Sequence, residues 1–426
     1  MALDDDRVAG GDAPAGLFAR EDLGEALVLQ AAVAGILALG LAAPLAAQRI
    51  ETVDGVRVVH NEKGGLWGKS PKVALELVRK IGDIDTEDEN LAFNYPSDVA
   101  VDAAGNIYIL DSANARIQKF GPDGEFLATI GRKGQGPGEF IMPSSLDIDR
   151  DGNLVVGDTA QSRIHVIIGG GKDSRSIVLK DERIYGTRAL RDGDFVGRAS
   201  TYALPRPGQP AMSIEAMRLF RRIAPDGRLT ASFGRLTDFG EPLTNAMANE
   251  TDFDVDARGA LYVSFNGQNR IEKYAPDGTL VWRADRPLAY GTEIKKKGKI
   301  DRSGGAYSMS APEMNTCSAG IALDGRGRSW VVTYARQLKK EEQVQTSMTS
   351  IGGPGGARSV SVKTTGNTDL RTTDALKLEI FGDDGALLGE VPLAHFADVI
   401  RISGDRLFLI DRERGVTVYE YRIVEK

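Results

Sequence analysis

An internal repeat constrains the fold of this 426-residue chain more than any other feature. Residues 96–120 and 143–167 align at an offset of 47 positions, and a third copy begins near Thr251, 154 positions beyond the first. The matched pairs of the first two copies are Pro96/Pro143, Gly105/Gly152, Asp111/Asp158 and Arg116/Arg163. Self-similarity at a fixed period is typical of repeat architectures, in which each copy is one supersecondary unit.

The pattern inside each copy predicts strands. Short alternating apolar runs are separated by Gly, Asp and Asn turns, which indicates a four-stranded antiparallel meander. Six copies open near Pro96, Pro143, Ile184, Thr251, Ser318 and Asp398. The last copy ends one strand short, and residues 76–82 repeat the fourth-strand pattern of residues 125–131. An N-terminal strand is therefore predicted to close the ring of an all-β, six-bladed β-propeller over 73–426.

An uncharged segment, residues 26–47, predicts one hydrophobic helix before the propeller. At helical rise it would reach roughly 33 Å, enough to cross a bilayer core of about 30 Å. It is either an uncleaved transmembrane anchor or a signal peptide cut near Ala47. The leader, residues 1–25, is acidic where a signal peptide is usually cationic, which favours the anchor. Residues 48–72 are predicted to be a linker.

The loop between the first two copies carries a family resemblance. The string from Ile130 to Phe140, IGRKGQGPGEF, is followed by Pro143 and by the turn Asp149–Asn153. Together these resemble the NHL-repeat six-bladed propellers of bacterial envelopes, over roughly residues 73–424. The resemblance implies a periplasmic propeller, anchored to the inner membrane or, after cleavage near Ala47, soluble in the periplasm. It also implies enzymatic relatives, a His-rich zinc lyase among NHL-like propellers and gluconolactonase-type hydrolases among other six-bladed propellers.

Composition excludes several classes of site. A net charge of −7 argues against general nucleic-acid binding. The single cysteine, Cys317, excludes an internal disulfide and a cysteine zinc site, and is expected to be a buried apolar residue. The three histidines, His60, His165 and His395, show no metal-ligand spacing. No catalytic residue is predicted.

Several repeated residues are predicted to be structural. The pairs Asp111/Arg116 and Asp158/Arg163 recur with the blades, so the Asp is expected to cap a turn and the Arg to brace the third strand. The glycines of residues 134–138 do not lie between a strand and a helix, so they indicate a tight turn between blades rather than a phosphate loop.

Three carboxylates are weak candidates for a metal site. Asp98, Asp252 and Asp398 each stand at the start of an innermost strand, where they could meet at one mouth of the channel. They could bind Ca²⁺ or an amine there, or be solvated loop ends. No other cofactor is predicted.

Three insertions break the repeat: residues 200–217, 284–317 and 336–373. All fall in loops that emerge on the same face of an antiparallel meander, and they bring basic residues to that face. The candidate partner-binding residues are Lys295, Lys296, Lys297, Lys299, Arg302, Lys339 and Lys340. They predict either a solvated loop surface or a docking surface for an acidic protein or an anionic headgroup.

The favoured function is a non-catalytic, membrane-tethered extracytoplasmic propeller. It would serve as an accessory or scaffold subunit of a membrane protein complex, respiratory or photosynthetic for example, and would dock through the insertion-bearing face. The alternatives are a lactonase- or lyase-like enzyme with carboxylate-bound Ca²⁺ in the channel, and a ligand-binding sensor propeller.

Overall fold

The computed structural model describes residues 48–180, 182–201, 213–301, 308–352 and 358–426. Strands dominate these residues, and six sheets of four or more strands form the blades of a propeller. The leader and the predicted hydrophobic segment, residues 1–47, lie outside the described residues.

The first half of the propeller follows three N-terminal strands. These are β1 (Gln48–Val53), β2 (Val56–Asn61) and β3 (Val73–Ile81). Blade 1 has β4 (Pro96–Val101), β5 (Ile107–Asp111), β6 (Arg116–Phe120) and β7 (Phe126–Ile130), and is followed by the short β8 (Arg132–Lys133) and β9 (Glu139–Phe140). Blade 2 has β10 (Pro143–Ile148), β11 (Leu154–Asp158), β12 (Arg163–Ile168) and β13 (Asp173–Val178). Blade 3 has β14 (Ile184–Ala189), β15 (Phe195–Ala199), β16 (Phe220–Ile223) and β17 (Leu229–Phe233), with a 3-10 helix at Ile214–Ala216.

The second half begins after helix α1 (Pro242–Ala248). Blade 4 has β18 (Thr251–Val255), β19 (Leu261–Phe265), β20 (Ile271–Tyr274) and β21 (Leu280–Asp285), followed by β22 (Lys299–Asp301) and β23 (Ser308–Ser310). Blade 5 has β24 (Ser318–Leu323), β25 (Ser329–Tyr334), β28 (Leu376–Phe381) and β29 (Leu387–Pro392). Between β25 and β28 lie a 3-10 helix (Lys340–Glu342) and the hairpin β26 (Val344–Gly352) and β27 (Arg358–Gly366). Blade 6 has β30 (Val399–Ser403), β31 (Arg406–Asp411) and β32 (Thr417–Glu425).

The predicted blades and their closure are confirmed. The innermost strands begin within one residue of the six positions expected from the repeat. β3 pairs antiparallel with β32 from Val73↔Glu425 to Ile81↔Val418, so it supplies the fourth strand of blade 6. The chain thus closes the ring by hydrogen bonds between its two ends, as the strand pattern of residues 76–82 predicts.

The core is divided among the interfaces between blades. Six clusters of buried apolar side chains each join two neighbouring blades, and the cluster between blades 6 and 1 contains Ile81, Phe120 and Phe408. The second strands β5, β11 and β19 are buried along their whole length, because a blade packs on each of their faces. Burial of this apolar surface is the main force that holds the blades together.

The segment predicted as a linker contains a hairpin instead. β1 and β2 pair with each other, and β2 adds in parallel to the outer strand of blade 4, β21. The Asn61 amide then links two blades: its Nδ2 donates to the carbonyls of Asp285 (2.9 Å) and Gly385 (3.0 Å), and its Oδ1 accepts from Leu387 N–H (2.7 Å). Residues 48–81 therefore connect the outer edges of blades 4, 5 and 6.

Two glycines in this segment provide a test of its contact with blade 5. Gly65 and Gly68 have nearly equal positive φ angles, 59° and 58°. A Cβ on Gly65 would lie 2.7 Å from the carbonyl oxygen of Leu387, whereas a Cβ on Gly68 would have open space. Gly68→Ala should thus cost only the left-handed backbone penalty, about 1–2 kcal/mol. Gly65→Ala should cost a further ~1–3 kcal/mol from overpacking.

The difference between the two variants is measured by denaturant unfolding of the full-length protein. Equal free energies of unfolding would mean that the contact between this segment and blade 5 is absent in solution.

A histidine binds the hairpin to blade 4. His60 Nδ1 lies 2.5 Å from Asp285 Oδ2 and its Nε2 lies 3.1 Å from Glu51 Oε1. The hydrogen bond to Glu51 raises the pKa of His60 above its ordinary value; burial opposes this shift and Asp285 adds to it. Because the folded-state pKa is the higher one, the charged ring stabilises the docked hairpin fully below pH ~6.5. That contribution disappears as the pH rises through the raised pKa.

We therefore expect the β2 amides to exchange with solvent faster, after correction for intrinsic rates, above the raised pKa than below pH ~6.5. Hydrogen exchange measured by mass spectrometry on the peptide covering Val56–Asn61 tests this. His60→Gln should abolish the pH dependence at β2 and leave blade 1 unchanged. An unaltered pH profile in His60→Gln would show that another group controls the docking.

Candidate functional site

The first strand of each blade lines a central channel. Each of these strands contacts the first strand of the next blade, from β4 through β10, β14, β18, β24 and β30 back to β4. A cavity of about 390 Å³ opens at the mouth where these strands begin. A second cavity of about 390 Å³ opens at the opposite mouth, among the turns that carry Asp149, Arg150 and Arg191. Arg188 lines both cavities, so its side chain lies between them.

Arg188 belongs to a charge network that lies in the channel between the two mouths. Its Nη1 lies 3.2 Å from Asp98 Oδ2, and Arg401 Nε donates to the other Asp98 oxygen at 2.6 Å. Arg188 Nε also lies 3.8 Å from Asp254 Oδ1. Both oxygens of Asp98 are therefore engaged by guanidinium groups.

The channel carboxylates also join neighbouring blades through main-chain hydrogen bonds. Asp98 accepts from Leu146 N–H (2.9 Å), Asp147 from Ala189 N–H (2.8 Å) and Asp254 from Leu323 N–H (2.9 Å). Each carboxylate thus bonds to the innermost strand of the next blade. We conclude that these three aspartates hold the inner ring together.

The pKa values in the network reflect burial and mutual charge. Burial raises the pKa of Asp254 to about 6, and the charge of Arg188 opposes that shift. Burial likewise raises the pKa values of Asp98 and Asp147. Burial disfavours the charged form of Arg188, but the charges of the three aspartates still raise its pKa overall. One guanidinium surrounded by three carboxylates thus stays charged.

The three carboxylates predicted as a weak candidate metal site line one cavity but have different partners. Asp98 lies at its floor, engaged by Arg188 and Arg401, while Asp398 Oδ2 accepts from Arg412 N–H at 2.9 Å. Asp252 stands on the opposite wall, in blade 4. Across the described ranges, no three His, Cys, Asp or Glu side chains form a group that could hold a metal ion.

Two arginines in the walls of the same cavity were not singled out by sequence reasoning. Arg198 forms an ion pair with Glu250, and its guanidinium lies 5.5 Å from the ring centroid of Tyr185. Arg412 lies 5.1 Å from the ring centroid of Tyr95. Burial lowers the pKa of Arg198, and the charge of Asp252 opposes that shift. Neither arginine follows a repeat pattern, so nothing in the sequence marks them.

The predicted insertions lie where strand parity places them. Residues 200–217 separate β15 from β16, residues 284–317 join blade 4 to blade 5, and residues 336–373 separate β25 from β28. A fourth insertion, residues 234–250, joins blade 3 to blade 4 and was missed. It contains α1, in which the Glu241 side chain accepts from Leu243 N–H (3.0 Å) and Thr244 N–H at the N-cap. Such a seven-residue helix has too little periodicity to stand out in the sequence.

The candidate basic residues occupy two of these insertions. Lys295, Lys296, Lys297 and Lys299 are exposed, as are Lys339 and Lys340. Lys297 has charge interactions with Asp238 and Glu241 of the fourth insertion, so part of its charge is balanced locally. Arg302 lies outside the described residues.

The insertion of blade 5 forms an arm. β26 and β27 pair over nine residues each, from Val344↔Gly366 to Gly352↔Arg358, in a two-stranded sheet of their own. Its base is fixed by Glu342, which forms an ion pair with Arg336 and whose carbonyl accepts from Arg414 Nη2 (2.7 Å). The hydrogen bond from Arg336 lowers the pKa of Glu342 to about 2, so this anchor stays charged.

Most residues predicted to be structural have structural contacts. Asp158 Oδ1 accepts from Ala160 N–H (3.1 Å) and Gln161 N–H (3.2 Å), so it caps the turn after the second strand as predicted. Arg116 Nε donates to Asp111 at 2.9 Å, whereas Arg163 Nη1 donates to Gln161 Oε1 at 3.2 Å. In the glycine-rich loop, Glu139 Oε2 accepts from Gly136 N–H at 2.9 Å, so the chain's own carboxylate occupies the loop amides.

The cysteine and the other two histidines are also buried in structural surroundings. Cys317 is fully buried, and burial raises the pKa of its thiol to about 11. His165 packs edge-on against Phe140, and His395 stacks on Tyr419 with 3.8 Å between ring centroids. Burial lowers the pKa values of both imidazoles, so they are neutral at pH 7.

The membrane prediction concerns residues that the structure does not describe. None of the helices within the described ranges is long and apolar enough to cross a membrane. The predicted anchor, residues 26–47, lies outside those ranges.

Comparison with known proteins identifies the fold. A family model described as a 6-bladed beta-propeller matches residues 81–166, from the end of β3 into the third strand of blade 2. No curated protein matches the sequence. The chain resembles 667 solved chains, so its likeness to them does not select one activity.

Three of these solved structures illustrate the range of proteins that the chain resembles. A member of the DUF4221 family from Bacteroides vulgatus is 11% identical, with a TM-score of 0.51 over 83% of this chain and 99% of its own. A gluconolactonase from Xanthomonas campestris is 17% identical, with a TM-score of 0.45 over 82% of this chain and 99% of its own. Virginiamycin B lyase from Staphylococcus aureus is 13% identical, with a TM-score of 0.42 over 83% of this chain and all of its own. At these identities the likeness establishes a six-bladed propeller and no more.

The contrast between Asp98 and Asp252 predicts different costs for the same substitution. Asp98→Ala would leave Arg188 and Arg401 without their shared carboxylate, which should lower the free energy of unfolding by about 3–5 kcal/mol. Asp252→Ala removes a carboxylate of the same channel layer that has no ion pair within the described residues. It should change stability by less than about 1 kcal/mol. Denaturant unfolding of the two variants measures the difference, and similar losses would contradict the network described above.

Proposed function

We propose that this protein is a non-catalytic, membrane-tethered extracytoplasmic propeller that docks a membrane protein complex through its insertion-bearing face. The observation that carries the proposal is the arm formed by β26 and β27. A two-stranded hairpin is only marginally stable in water by itself. Contact with a partner surface would therefore stabilise this pair of nine-residue strands. The arm would act as a recognition element on a rigid scaffold.

The other insertions support docking on the same face. Function on repeat scaffolds is concentrated in the loops that the scaffold adds. The loops on this face carry four insertions, whereas the opposite face has short turns such as those at Asp149–Asn153 and Leu190–Asp194. The exposed lysines at 295–297 and at 339–340 would favour an acidic partner surface and speed its association.

Attachment to the membrane is part of the same proposal. The uncharged residues 26–47 are long enough to span a bilayer core, and the NHL-repeat resemblance favours a periplasmic propeller on the inner membrane. Cleavage near Ala47 would instead give a soluble periplasmic protein. A respiratory or photosynthetic assembly is the proposed kind of host.

The enzyme alternative has less support from the channel. A lactonase- or lyase-like mechanism with bound Ca²⁺ would have to use Asp98, Asp252 and Asp398. Asp98 has both oxygens on arginines, and such a carboxylate would have to break two ion pairs to ligate a cation. Docking is therefore the function that the arrangement of these residues supports best.

Replacing the arm tests the proposal. We expect full-length protein extracted from native membranes with a mild detergent to migrate with partner subunits, as detected by native mass spectrometry. A variant in which a short Gly-Ser turn joins Gln345 to Thr365 should keep the propeller folded, because these residues are paired at the base of the arm. It should lose at least about tenfold of the partner signal, as expected when hot-spot contacts are removed.

Charge reversal provides a matched control. Lys295→Glu, Lys296→Glu and Lys297→Glu together should slow association and weaken its salt dependence. Arg150→Glu with Arg191→Glu reverses charge at the opposite mouth and should leave association unchanged. A monomer free of partners, or an equal loss from both reversals, would contradict docking through the insertion-bearing face.

A further inference from the structure

The cavity on the insertion-bearing face contains an arginine without a hydrogen-bond partner. Arg412 follows β31, and its Nε is buried with no partner. Within the described ranges, none of its side-chain nitrogens donates a hydrogen bond or forms an ion pair, and its guanidinium lies 5.1 Å from the ring centroid of Tyr95. By contrast, Arg188 and Arg401 at the floor of the same cavity both bond to Asp98.

Unpaired groups of the opposite kind line the wall across the cavity, in blade 4. Asp252 accepts no hydrogen bond and forms no ion pair with any residue that the structure describes. Next to it, Thr251 is only 3% exposed, and its hydroxyl is buried without a hydrogen-bond partner. The carbonyl oxygen of the Asn266 side chain, in the same wall, is also buried and unpartnered.

Unsatisfied buried polar groups are rare in folded proteins and indicate a missing partner. Such atoms occur at several places in the propeller, and three of them belong to residues that line this one cavity: Arg412 Nε on one side and the acceptors Thr251 Oγ1 and Asn266 Oδ1 on another. Arg412 stands on the blade 6 side, and Asp252, Thr251 and Asn266 stand on the blade 4 side, with Tyr334 of blade 5 also in the lining. The charges of Asp398, Glu413 and Asp252 all act on Arg412, yet none of these carboxylates forms an ion pair with its guanidinium.

We propose that this cavity binds a small zwitterion, a free amino acid or a short peptide. The ligand carboxylate would accept hydrogen bonds from the Arg412 guanidinium, and its ammonium group would donate to the Asp252 carboxylate. A planar guanidinium matches a carboxylate, and both interactions are charge-assisted. The proposal stands on the cavity alone and does not depend on the docking function.

The charges and the size of the cavity select this ligand class. An anion without an ammonium group would leave the half-buried carboxylate of Asp252 without a partner, and an amine without a carboxylate would leave the half-buried guanidinium of Arg412 without one. Each such loss weakens binding because a charge that loses water without gaining a partner is costly. The volume of about 390 Å³ is at the small end of ligand pockets, which favours amino acids and dipeptides over larger molecules.

Isothermal titration calorimetry of the full-length protein in mild detergent tests the proposal. The probes are the common free amino acids and alanyl-alanine, with N-acetylalanine and alanine amide as single-charge analogues. We expect at least one zwitterion to bind and its single-charge analogues to bind at least about tenfold more weakly. Comparing the affinities for free amino acids and for alanyl-alanine shows whether the zwitterion is an amino acid or a short peptide.

Matched variants locate the site. Arg412→Gln and Asp252→Asn should each weaken binding of the zwitterion about tenfold to a hundredfold. Arg150→Gln and Asp151→Asn, which change an exposed pair at the opposite mouth, should leave binding unchanged. Circular dichroism confirms that each variant is folded, and both cavity variants should fold because neither removes a hydrogen bond from the side chain concerned.

The pattern across ligands distinguishes binding from a nonspecific effect. In Asp252→Asn, the advantage of the zwitterion over N-acetylalanine should disappear, since the ammonium group no longer meets a charge. The proposal is overturned if no zwitterion binds at millimolar concentration, if the single-charge analogues bind equally well, or if the cavity variants bind like the wild type. Loss of partner subunits from membranes would test docking and would not affect this result.

Discussion

Pairing of β3 with β32 is the constraint on which the rest of the molecule depends. A propeller has no central core, because its apolar clusters lie between neighbouring blades. An open ring would expose the cluster between blades 6 and 1, which contains Ile81 from β3 and Phe408 from blade 6. Hydrogen bonds from Val73 to Ile81 close that interface and give the channel a fixed diameter. The positions of Asp98, Arg188 and Arg401 across the channel follow from that closure.

What could be predicted from the sequence is what the repeat encodes. β3 was recognisable because residues 76–82 copy the fourth-strand pattern, and the six blade starts were recognisable from turns at equivalent positions. The hairpin of β1 and β2 was not recognisable from the sequence, because its parallel pairing with β21 depends on residues 225 positions away. Local patterns determine which segments form strands, whereas pairing at an outer edge is decided by tertiary contacts.

The candidate site shows the same division. Asp98, Asp252 and Asp398 could be placed at the channel from their repeat positions, and all three do line one cavity. Their roles could not be predicted, because a role depends on which arginine reaches each carboxylate. Arg188 and Arg401 reach Asp98 from blades 3 and 6, and no arginine forms an ion pair with Asp252 among the described residues. Equivalent positions in a repeat can therefore carry different chemistry.

This difference in partners separates structure from function along the channel. A carboxylate between two arginines, like Asp98, stabilises the inner ring, and any ligand would have to displace those arginines first. An unpaired guanidinium across a cavity from an unpaired carboxylate has the opposite property. Both charges have lost part of their hydration, and only a bound ligand would compensate that loss. A fold selected only for stability would bring Arg412 and Asp252 into contact or replace both by apolar residues. Their separation across a cavity is a cost that binding can offset.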